Sequence, residues 1–303
     1  MHDELSAESD GSFVFGHQFR NRTDVFCPAP SHFLDFRPPE RLVFADPGGD
    51  HVLYICIPAY NEAPTIGVLL WRIRKVLRDF SREYEIVVFD DGSTDATAET
   101  LQPYGDVLPL SLLGGERHVG YAGALDALCR AVVAKTRYPR RDAMLVMQAD
   151  FTDQPEHIPE LVRRFEGGAD VVVGERTTVP NAPVPVRRLR RVATWLLRPF
   201  VSVPGVADPF ATFRLIRISV IKELVKQNGD SPLVSGAGWA ANVDLLTRAI
   251  QFARRVEAVS LEQRFDVRPR PSRIRPFADA LNLYRFAWAT RGRRIAPPST
   301  AAT

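Results

Sequence analysis

The segment MLVMQADFTDQPEHIPE (residues 144–160) decides the fold, because it runs from a buried strand into an acidic turn and a helix start. Its apolar first residues have the length typical of a core strand. Gln148 and Asp150 end that strand, and Pro155 stands where a helix would begin. In open α/β sheets, ligands bind at the carboxyl ends of the strands, where a carboxylate can hold a hard cation and the cation a diphosphate. An ordinary strand end followed by a helix cap fits the same residues.

The segments on both sides of this stretch alternate between strand and helix patterns. We predict strands at residues 51–58, 85–89, 107–113, 143–147 and 170–174, and helices at residues 64–80, 96–101, 120–133 and 155–166. The apolar residues of the first helix recur at the 3.6-residue spacing of an amphipathic helix. This alternation predicts an α/β fold, with a mostly parallel sheet and helices on both faces.

Polar turns follow three of the predicted strands. They hold Tyr60 and Glu62, Asp90 and Asp91, and Gln148 and Asp150. Because the strands of a parallel sheet end at one edge, the three turns should meet there and could grip one ligand. No GxGxxG motif follows the first strand, and no Gly-Lys-Ser/Thr is present. The sequence therefore predicts neither a dinucleotide fingerprint nor a Walker A loop.

The composition allows a sizeable core, and the charge is segregated along the chain. The 303 residues are 45% hydrophobic, ample for one large domain or two small ones. From Thr177 onward the chain has 21 Lys and Arg and 8 Asp and Glu, which gives a net charge of +13. The preceding residues carry 18 against 28, a charge of −10. This separation predicts a cation site in the acidic part and an anionic partner for the basic part.

The cysteines and the N-terminus indicate the compartment. Three cysteines at scattered positions, without metal-ligand or redox spacing, favour a reducing environment. The N-terminus is acidic and unlike a signal peptide, and no stretch approaches the roughly 18 uninterrupted apolar residues of a membrane span. We therefore expect a cytoplasmic protein.

Six blocks of sequence resemble the family-2 glycosyltransferases of the GT-A fold. They are most similar to the branch of dolichol-phosphate mannose synthase and the bacterial polyprenyl-phosphate glycosyltransferases. The blocks are IPAYNEAPTI (57–66), EIVVFDDGSTDAT (85–97), HVGYAGALDAL (118–128), QADFTDQPEHIPEL (148–161), ADVVVGER (169–176) and DPFATFR (208–214). They lie in the family's order within residues 51–275, and the first two together are the most specific. The resemblance implies a GT-A, Rossmann-like domain with hexosyltransferase activity.

The resemblance also implies a site for the nucleotide of a sugar-nucleotide donor. Its residues are Pro58, Tyr60, Glu62, Val88, Asp90, Asp91, Gln148 and Ala149. Carboxylates can accept hydrogen bonds from base N–H groups and ribose hydroxyls, and the Tyr60 ring can stack on a base. A packed loop aromatic is the alternative for Tyr60.

The metal motif of the family is incomplete in this chain. Relatives have Asp-X-Asp followed by a Gln, whereas this chain has Gln148, Asp150 and Thr152 at those positions. The resemblance implies Asp150 and Gln148 as ligands of Mg²⁺ or Mn²⁺. One carboxylate can suffice for such an ion, although its affinity should fall, and a site without metal stays open. Asp153 is a further carboxylate that could compensate.

Basic residues complete the implied site. Arg176 matches the Arg of the family's Gly-Ser-Arg block, while Asp208 and Arg214 match a block written DPTSGFR in relatives. The stretch RPRPSRI (268–274) resembles a shortened Arg…Ser-Lys loop, with Arg270 and Arg273 as its counterparts. Guanidinium groups bind phosphate bidentately, although each could also be a solvated surface residue. The implied catalytic set is Asp150, Arg176, Asp208 and Arg214, and the implied acceptor or phosphate set is Arg176, Arg214, Arg270 and Arg273.

Two segments have the composition of interfacial helices. Residues 186–204 carry five Arg beside Trp195 and Phe200, and residues 277–288 place Phe, Leu, Tyr and Trp on one face ahead of further Arg. A core helix with a basic end is the alternative for each. We predict an N-terminal arm at residues 1–50, a GT-A domain at residues 51–275, and a C-terminal amphipathic helix and tail at residues 276–303.

The resemblance implies transfer of a sugar from a nucleotide diphosphate sugar to a polyprenyl phosphate, with inversion. Together with the charge separation and the basic segments, it predicts a protein peripheral at the inner face of an anionic membrane. An ionised phosphate needs no strong general base, whereas a hydroxyl acceptor would need one, with Asp208 and Asp244 as first candidates. One alternative is a glycosyltransferase with a soluble or protein-bound acceptor. Another is a catalytically weak nucleotide-binding or assembly subunit, which Gln148 and Thr152 favour. We expect no nucleic-acid partner, while a membrane-protein partner or a homo-oligomer fits the sequence.

Overall fold

The computed structural model describes residues 51–115, 117–176 and 205–261. The strands are β1 (Val52–Ala59), β2 (Glu83–Asp91), β3 (Leu110–Gly115), β4 (Ala143–Val146), β5 (Val171–Arg176), β6 (Arg214–Arg217) and β7 (Val256–Leu261). The α-helices are α1 (Ala63–Leu77), α2 (Thr97–Leu101), α3 (Gly120–Lys135), α4 (Ile158–Glu166), α5 (Ile218–Asn228) and α6 (Trp239–Ala249). Short 3₁₀ turns at Gln102–Tyr104 and Pro155–His157 precede or follow two of these helices.

The seven strands form one sheet in the order β3-β2-β1-β4-β6-β5-β7. β1 pairs in parallel with β2 and β4, and β2 pairs in parallel with β3. β6 is antiparallel to both of its neighbours, β4 and β5. The sheet is thus mostly parallel with helices on both faces, which confirms the predicted fold class.

The reversed direction of β6 matters for the site. Arg214, the first residue of β6, pairs with Val146 at the end of β4 and with Val173 of β5. The amino end of β6 therefore lies at the edge of the sheet where the parallel strands end. This placement brings the segment before Arg214 to the same edge as the three polar turns.

Two apolar clusters cover the two faces of the sheet, as the alternation of side chains along a strand requires. On β1, Leu53, Ile55 and Ile57 pack in the cluster that also holds the apolar face of α1 and of α4. Tyr54 and Cys56 pack in the opposite cluster with α3, α5 and α6. Burial raises the pKa of the Cys129 thiol in that cluster to about 12, so this thiol stays protonated near neutral pH.

Prolines and a glycine account for two of the differences between predicted and observed boundaries, those of α4 and β3. α4 begins with a 3₁₀ turn because Pro159 has no N–H to donate in an α-helical turn. β3 begins after Pro109 and continues through Gly114 to Gly115, whereas we predicted a strand at residues 107–113. Gly114 has a φ of +112°, and a Cβ there would lie 2.0 Å from the backbone oxygen of Asp90. Only glycine permits this close contact between β3 and β2.

Several predicted features lie outside the described residues. They are the arm at residues 1–50, the segments 186–204 and 277–288, Arg270 and Arg273, and the domain boundary at residue 275. Within the described residues, no helix combines the length and the apolar character needed to cross a membrane.

Candidate active site

The turns that follow β1 and β2 are joined by Asn61. The backbone N–H groups of Thr94 and Asp95 donate to its side-chain oxygen, at 2.7 and 3.3 Å. Its own backbone N–H donates to the hydroxyl of Ser93 at 2.9 Å. Asn61 adopts a φ of +53°, a left-handed conformation that Asn tolerates better than most residues. The first two turns thus form one hydrogen-bonded unit, a role that sequence reasoning missed.

Asp90 lies on the rim of this unit. Its backbone pairs with Ala59 at the end of β1, so the turns that follow the two strands lie side by side. One carboxylate oxygen accepts the backbone N–H of Ser93 at 3.0 Å, and the residue is half-buried. Asp90 therefore lies at the carboxyl edge of the sheet, and its contact with the nucleotide stays a prediction.

Asp91 has a different environment from that of Asp90. Its carboxylate is buried and accepts the backbone N–H groups of Val119 and Gly120, at 2.6 and 3.2 Å. Val119, the N-cap residue of α3, supplies no side-chain cap of its own. Asp91 thus satisfies donors at the start of α3 that would otherwise be orphaned. Successive side chains of a strand point to opposite faces, which separates Asp91 from Asp90.

His118 connects Asp91 to Tyr60. Its Nδ1 lies 3.0 Å from the backbone oxygen of Asp91 and 3.1 Å from a carboxylate oxygen of the same residue. Its ring packs against the ring of Tyr60, with centroids 4.4 Å apart and a tilt of 39°. Tyr60 is therefore held by an aromatic partner at the mouth of the site. The only sequence signal for His118 was its place at the head of the block 118–128.

The other predicted nucleotide residues lie deeper. Pro58, Val88 and Ala149 are buried, so they can meet a ligand only through their backbone or through the walls of the pocket. Glu62 is also buried, and the hydroxyl of Thr65 donates to its carboxylate at 2.9 Å. Its backbone N–H donates to the hydroxyl of Thr97 at 2.8 Å. Glu62 therefore links α1 to α2.

The third turn presents Asp150 on a strained backbone. The backbone N–H of Thr152 donates to one carboxylate oxygen of Asp150 at 3.0 Å, and the Thr152 hydroxyl donates to the same oxygen. Thr152 therefore holds the aspartate where relatives carry a Gln. Phe151, between them, has a φ of +60°, which is costly for a bulky side chain. The Arg72 guanidinium lies 5.6 Å from the centroid of the Phe151 ring.

Gln148 is held through both its backbone and its side chain. Its backbone N–H donates to a buried carboxylate oxygen of Asp153 at 2.9 Å, and its amide Nε2 donates to the Tyr121 hydroxyl at 3.0 Å. The hydroxyl of Thr212 donates to both oxygens of Asp153, at 3.1 and 2.9 Å. Asp153 therefore joins β4 to the segment before β6. It is buried in this structural role, whereas we predicted that it could act as a further metal ligand.

The chemistry of the third turn fits a divalent cation that takes most of its ligands from elsewhere. Asp150 supplies a carboxylate, and Gln148 supplies an amide oxygen. Mg²⁺ typically binds one or two carboxylates and completes its shell with phosphate oxygens and water. Within residues 51–115, 117–176 and 205–261, no group of three His, Cys, Asp or Glu side chains is placed to hold a metal by itself.

Arg214 lies behind the site and not on its surface. The side chain is fully buried, Nη1 donates to the backbone oxygen of Asn242 at 2.6 Å, and Nη2 donates to the backbone oxygen of Ala211. These two bonds tie the guanidinium to the backbone beneath the site, and the contact of Arg214 with the acceptor phosphate stays a prediction. Arg176 ends β5, where it pairs with Leu261, and its side chain lies outside the described set.

Asp208 and Asp244 both stabilise turns. Asp208 is half-buried, and its carboxylate accepts the backbone N–H of Phe210 at 3.2 Å. Its backbone N–H donates to Glu175, the residue that replaces the Ser of the family block, at 3.1 Å. Asp244 is buried, accepts both the backbone N–H and the hydroxyl of Ser235 at 2.8 Å, and is paired with Arg248. These contacts explain Glu175 and make Asp208 the more accessible of the two predicted bases.

Comparison with known proteins identifies the family. The profile described as "Glycosyl transferase family 2" matches residues 54–225. A dolichol-phosphate mannosyltransferase of Pyrococcus furiosus is 29% identical over 175 residues, which cover 55% of this chain and 47% of that protein. An undecaprenyl-phosphate 4-deoxy-4-formamido-L-arabinose transferase of Pseudomonas fluorescens is 34% identical over 124 residues, covering 40% of this chain and 34% of that protein. The chain thus spans about a third to a half of these two relatives.

A solved structure confirms the fold. Glucosyl-3-phosphoglycerate synthase of Mycobacterium tuberculosis, in complex with Mn²⁺, UDP and glucosyl-3-phosphoglycerate, superposes with a TM-score of 0.56. It is 21% identical, and the match covers 82% of this chain and 81% of that one. At this identity the likeness shows the GT-A fold and nothing of the substrate.

Proposed function

The chain belongs to glycosyl transferase family 2, and we propose that it transfers a sugar from a nucleotide diphosphate sugar to a polyprenyl phosphate. The family match to residues 54–225 covers the three polar turns described above. The proposal extends the match to a donor, an acceptor and a set of residues in named roles.

The observation that carries the proposal is the common edge of β2, β1 and β4, neighbours in the sheet. Their turns place Asp90 at one end and Asp150 at the other. Two strand spacings amount to roughly 10 Å, a span that a nucleoside diphosphate can bridge. Tyr60 and Asp90 would then face the base and ribose, and Asp150 the diphosphate.

In this reaction the residues of the chain hold the donor and stabilise its leaving group. The phosphate oxygen of the acceptor attacks the anomeric carbon on the face opposite the diphosphate, whose bond to that carbon breaks with inversion. The leaving diphosphate takes up the electron pair. A divalent cation held by Asp150 and Gln148 would neutralise the developing charge on the diphosphate. The remaining proposed catalytic residues are Arg176 at the end of β5, Asp208 in the segment before β6, and Arg214 behind the site.

The acceptor is proposed from the relatives and from charge. Both the dolichol-phosphate and the undecaprenyl-phosphate relatives are named for polyprenyl phosphates. The net charge of +13 from residue 177 onward would attract the chain to an anionic membrane, where such a lipid is located. We propose a peripheral position at the inner face, with residues 276–303 as an amphipathic element and Arg270 and Arg273 near the lipid phosphate.

A soluble phosphorylated acceptor is the second candidate. A synthase of the same fold is held in solved structures with UDP-glucose and phosphoglyceric acid, so this fold also accommodates a soluble phosphorylated molecule. A catalytically weak assembly subunit is less well supported, because the two departures from the family motif both make hydrogen bonds at the site. Gln148 donates to Tyr121 of α3, and Thr152 donates to Asp150.

The test is a transfer assay with two classes of acceptor. Thermal shift with a set of nucleotide sugars first identifies the donor, since a ligand that binds the native state raises Tm. The selected donor is then offered undecaprenyl phosphate in detergent and 3-phosphoglycerate in buffer. Product with the lipid alone supports the proposal, and product with 3-phosphoglycerate alone replaces it by the second candidate. Donor binding without either product leaves the assembly subunit.

Replacing Asp90 by Ala should weaken binding of the donor nucleotide about tenfold or more, because a charged acceptor for ribose or base hydrogens is lost. Isothermal titration calorimetry with the nucleoside diphosphate of the selected donor measures the effect. Unchanged affinity would place the nucleotide elsewhere on the sheet edge.

Asp91→Ala is the matched control, one residue along the same strand. It removes the acceptor of two buried N–H groups at the start of α3. The free energy of unfolding should fall by about 1–2 kcal/mol in urea denaturation, while nucleotide affinity stays within about threefold. The pair of variants separates a ligand-binding carboxylate from a structural one.

A further inference from the structure

Three side chains form a hydrogen-bonded chain from the end of β4 to the interior of α6. The Gln148 amide donates through Nε2 to the Tyr121 hydroxyl at 3.0 Å, and that hydroxyl donates to Oδ1 of Asn242 at 2.9 Å. We call Gln148, Tyr121 and Asn242 the Tyr121 relay. Tyr121 lies in the first turn of α3, so the relay ties together three elements distant in sequence.

Both ends of the relay are fixed. Asn242 is 2% exposed, and its backbone oxygen accepts Nη1 of the buried Arg214 at 2.6 Å. At the other end, the backbone N–H of Gln148 is held by the Asp153 carboxylate. Because the backbone of Gln148 and the far end of the relay are held, the Gln148 amide has a defined position.

The proton inventory of the relay selects an amide at position 148. A tyrosine hydroxyl has one proton to donate, and here that proton goes to Asn242. The hydroxyl oxygen then accepts an N–H of the Gln148 amide. A Gln amide carries N–H donors, whereas an ionised carboxylate has none. An Asp at 148, as in relatives, could join the relay only by accepting the Tyr121 proton, which requires the Asn242 amide to turn and present its N–H to the hydroxyl.

We propose that Tyr121 and Asn242 are positioning residues that turn the Gln148 amide so that its oxygen faces the donor diphosphate and the divalent cation. With Nε2 committed to Tyr121, the oxygen is the end of the amide that serves as a ligand. Gln148 is then an oriented neutral ligand beside the Asp150 carboxylate. This inference rests on the proposed function, since it concerns the same donor site.

A double-mutant cycle tests the relay through metal binding. Wild type, Tyr121→Phe, Gln148→Met and the double variant are titrated with Mn²⁺ in saturating UDP and, separately, GDP, and free Mn²⁺ is read by electron paramagnetic resonance. Residues that orient a metal ligand typically change affinity by about tenfold or more. Each single variant should therefore weaken Mn²⁺ binding about tenfold, and the double variant should bind no more weakly than Gln148→Met.

Controls separate positioning from loss of stability. Tyr84→Phe removes the hydroxyl of a half-buried tyrosine on β2 and should leave Mn²⁺ binding unchanged. Binding of the nucleotide without metal should also be unchanged in Tyr121→Phe, which shows that the pocket is folded. Gln148→Asn is a second variant, because it keeps the amide but is too short for Tyr121, and it should behave like Gln148→Met.

Three results would overturn the inference, and they can be told apart. Independent, multiplying losses in the two single variants would show that Tyr121 acts without Gln148. An unaltered Mn²⁺ affinity in Tyr121→Phe would remove the relay from the metal site. Wild-type protein that binds nucleotide but no Mn²⁺ would also overturn it while leaving the proposed donor site in place. A different result would contradict the proposed function as well: wild-type protein that binds neither a nucleotide nor any nucleotide sugar.

Discussion

Replacing Asp150 by Asn should lower the rate of sugar transfer by about a hundredfold to a thousandfold, because it removes the carboxylate that opposes the charge of the leaving diphosphate. The fold should survive. Asn keeps an oxygen at the position that accepts the backbone N–H and the hydroxyl of Thr152, so the strained turn keeps its internal contacts. The measurement is the single-turnover rate with the donor found by thermal shift, at several Mn²⁺ concentrations.

Glu156→Gln is the matched control for this variant. Glu156 is an exposed carboxylate six residues further along, and it pairs with Arg72 at 2.8 Å. Its loss removes the same charge from the same segment but takes nothing from the site, and surface pairs of this kind contribute little. Transfer should stay within about twofold of wild type. A transfer rate near wild type in Asp150→Asn would show that another group opposes the diphosphate.

Reversing four charges at Arg187, Arg188, Arg190 and Arg191 to Glu should release the protein from anionic vesicles. Each basic residue near an anionic leaflet contributes about 1 kcal/mol, so the loss of four weakens partitioning by roughly a thousandfold. Wild-type binding should rise with the fraction of phosphatidylserine and fall as salt is raised. Vesicle sedimentation measures both, and calorimetry checks that the variant still binds the donor nucleotide.

A variant of equal charge change tests whether the segment or the total charge matters. Lys222, Lys226, Arg140 and Arg254 are exposed and belong to the described part of the chain. Changing these four to Glu should weaken vesicle binding far less than the change at 187–191. Equal losses would reduce the effect to net charge. The membrane part of the proposal would be wrong if the wild-type protein does not bind anionic vesicles at low salt and glycosylates only a soluble acceptor.

The sequence predicts the carboxyl edge of the sheet well because local signals define it. Apolar runs end abruptly in polar residues at Tyr60, Asp90 and Gln148, and the structure brings all three turns to one edge. These signals need only the length of a run and the position of its first polar residue. They can therefore be read from the sequence without knowing which strands are neighbours.

Contacts that depend on distant elements could not be predicted in the same way. Asp90 and Asp91 are equivalent in sequence, and the position of α3 decides which of them is buried. The period of two offered a partial signal, because Phe89 packs in the cluster of α3 and Asp91 shares its side of β2. The antiparallel direction of β6 and the partnership of Tyr121 with Asn242 left no local signal, because both arise from long-range packing.

Asn61 has a consequence for the kinetics of donor binding. It joins the first two turns through hydrogen bonds within the chain itself, so these turns would need little ordering when the base and ribose bind. Preformed pockets require little ordering on association. We therefore expect donor nucleotides to associate with similar rate constants and to differ mainly in how long they stay bound. Discrimination between bases would then be set by residence time on the rim formed by Tyr60 and Asp90.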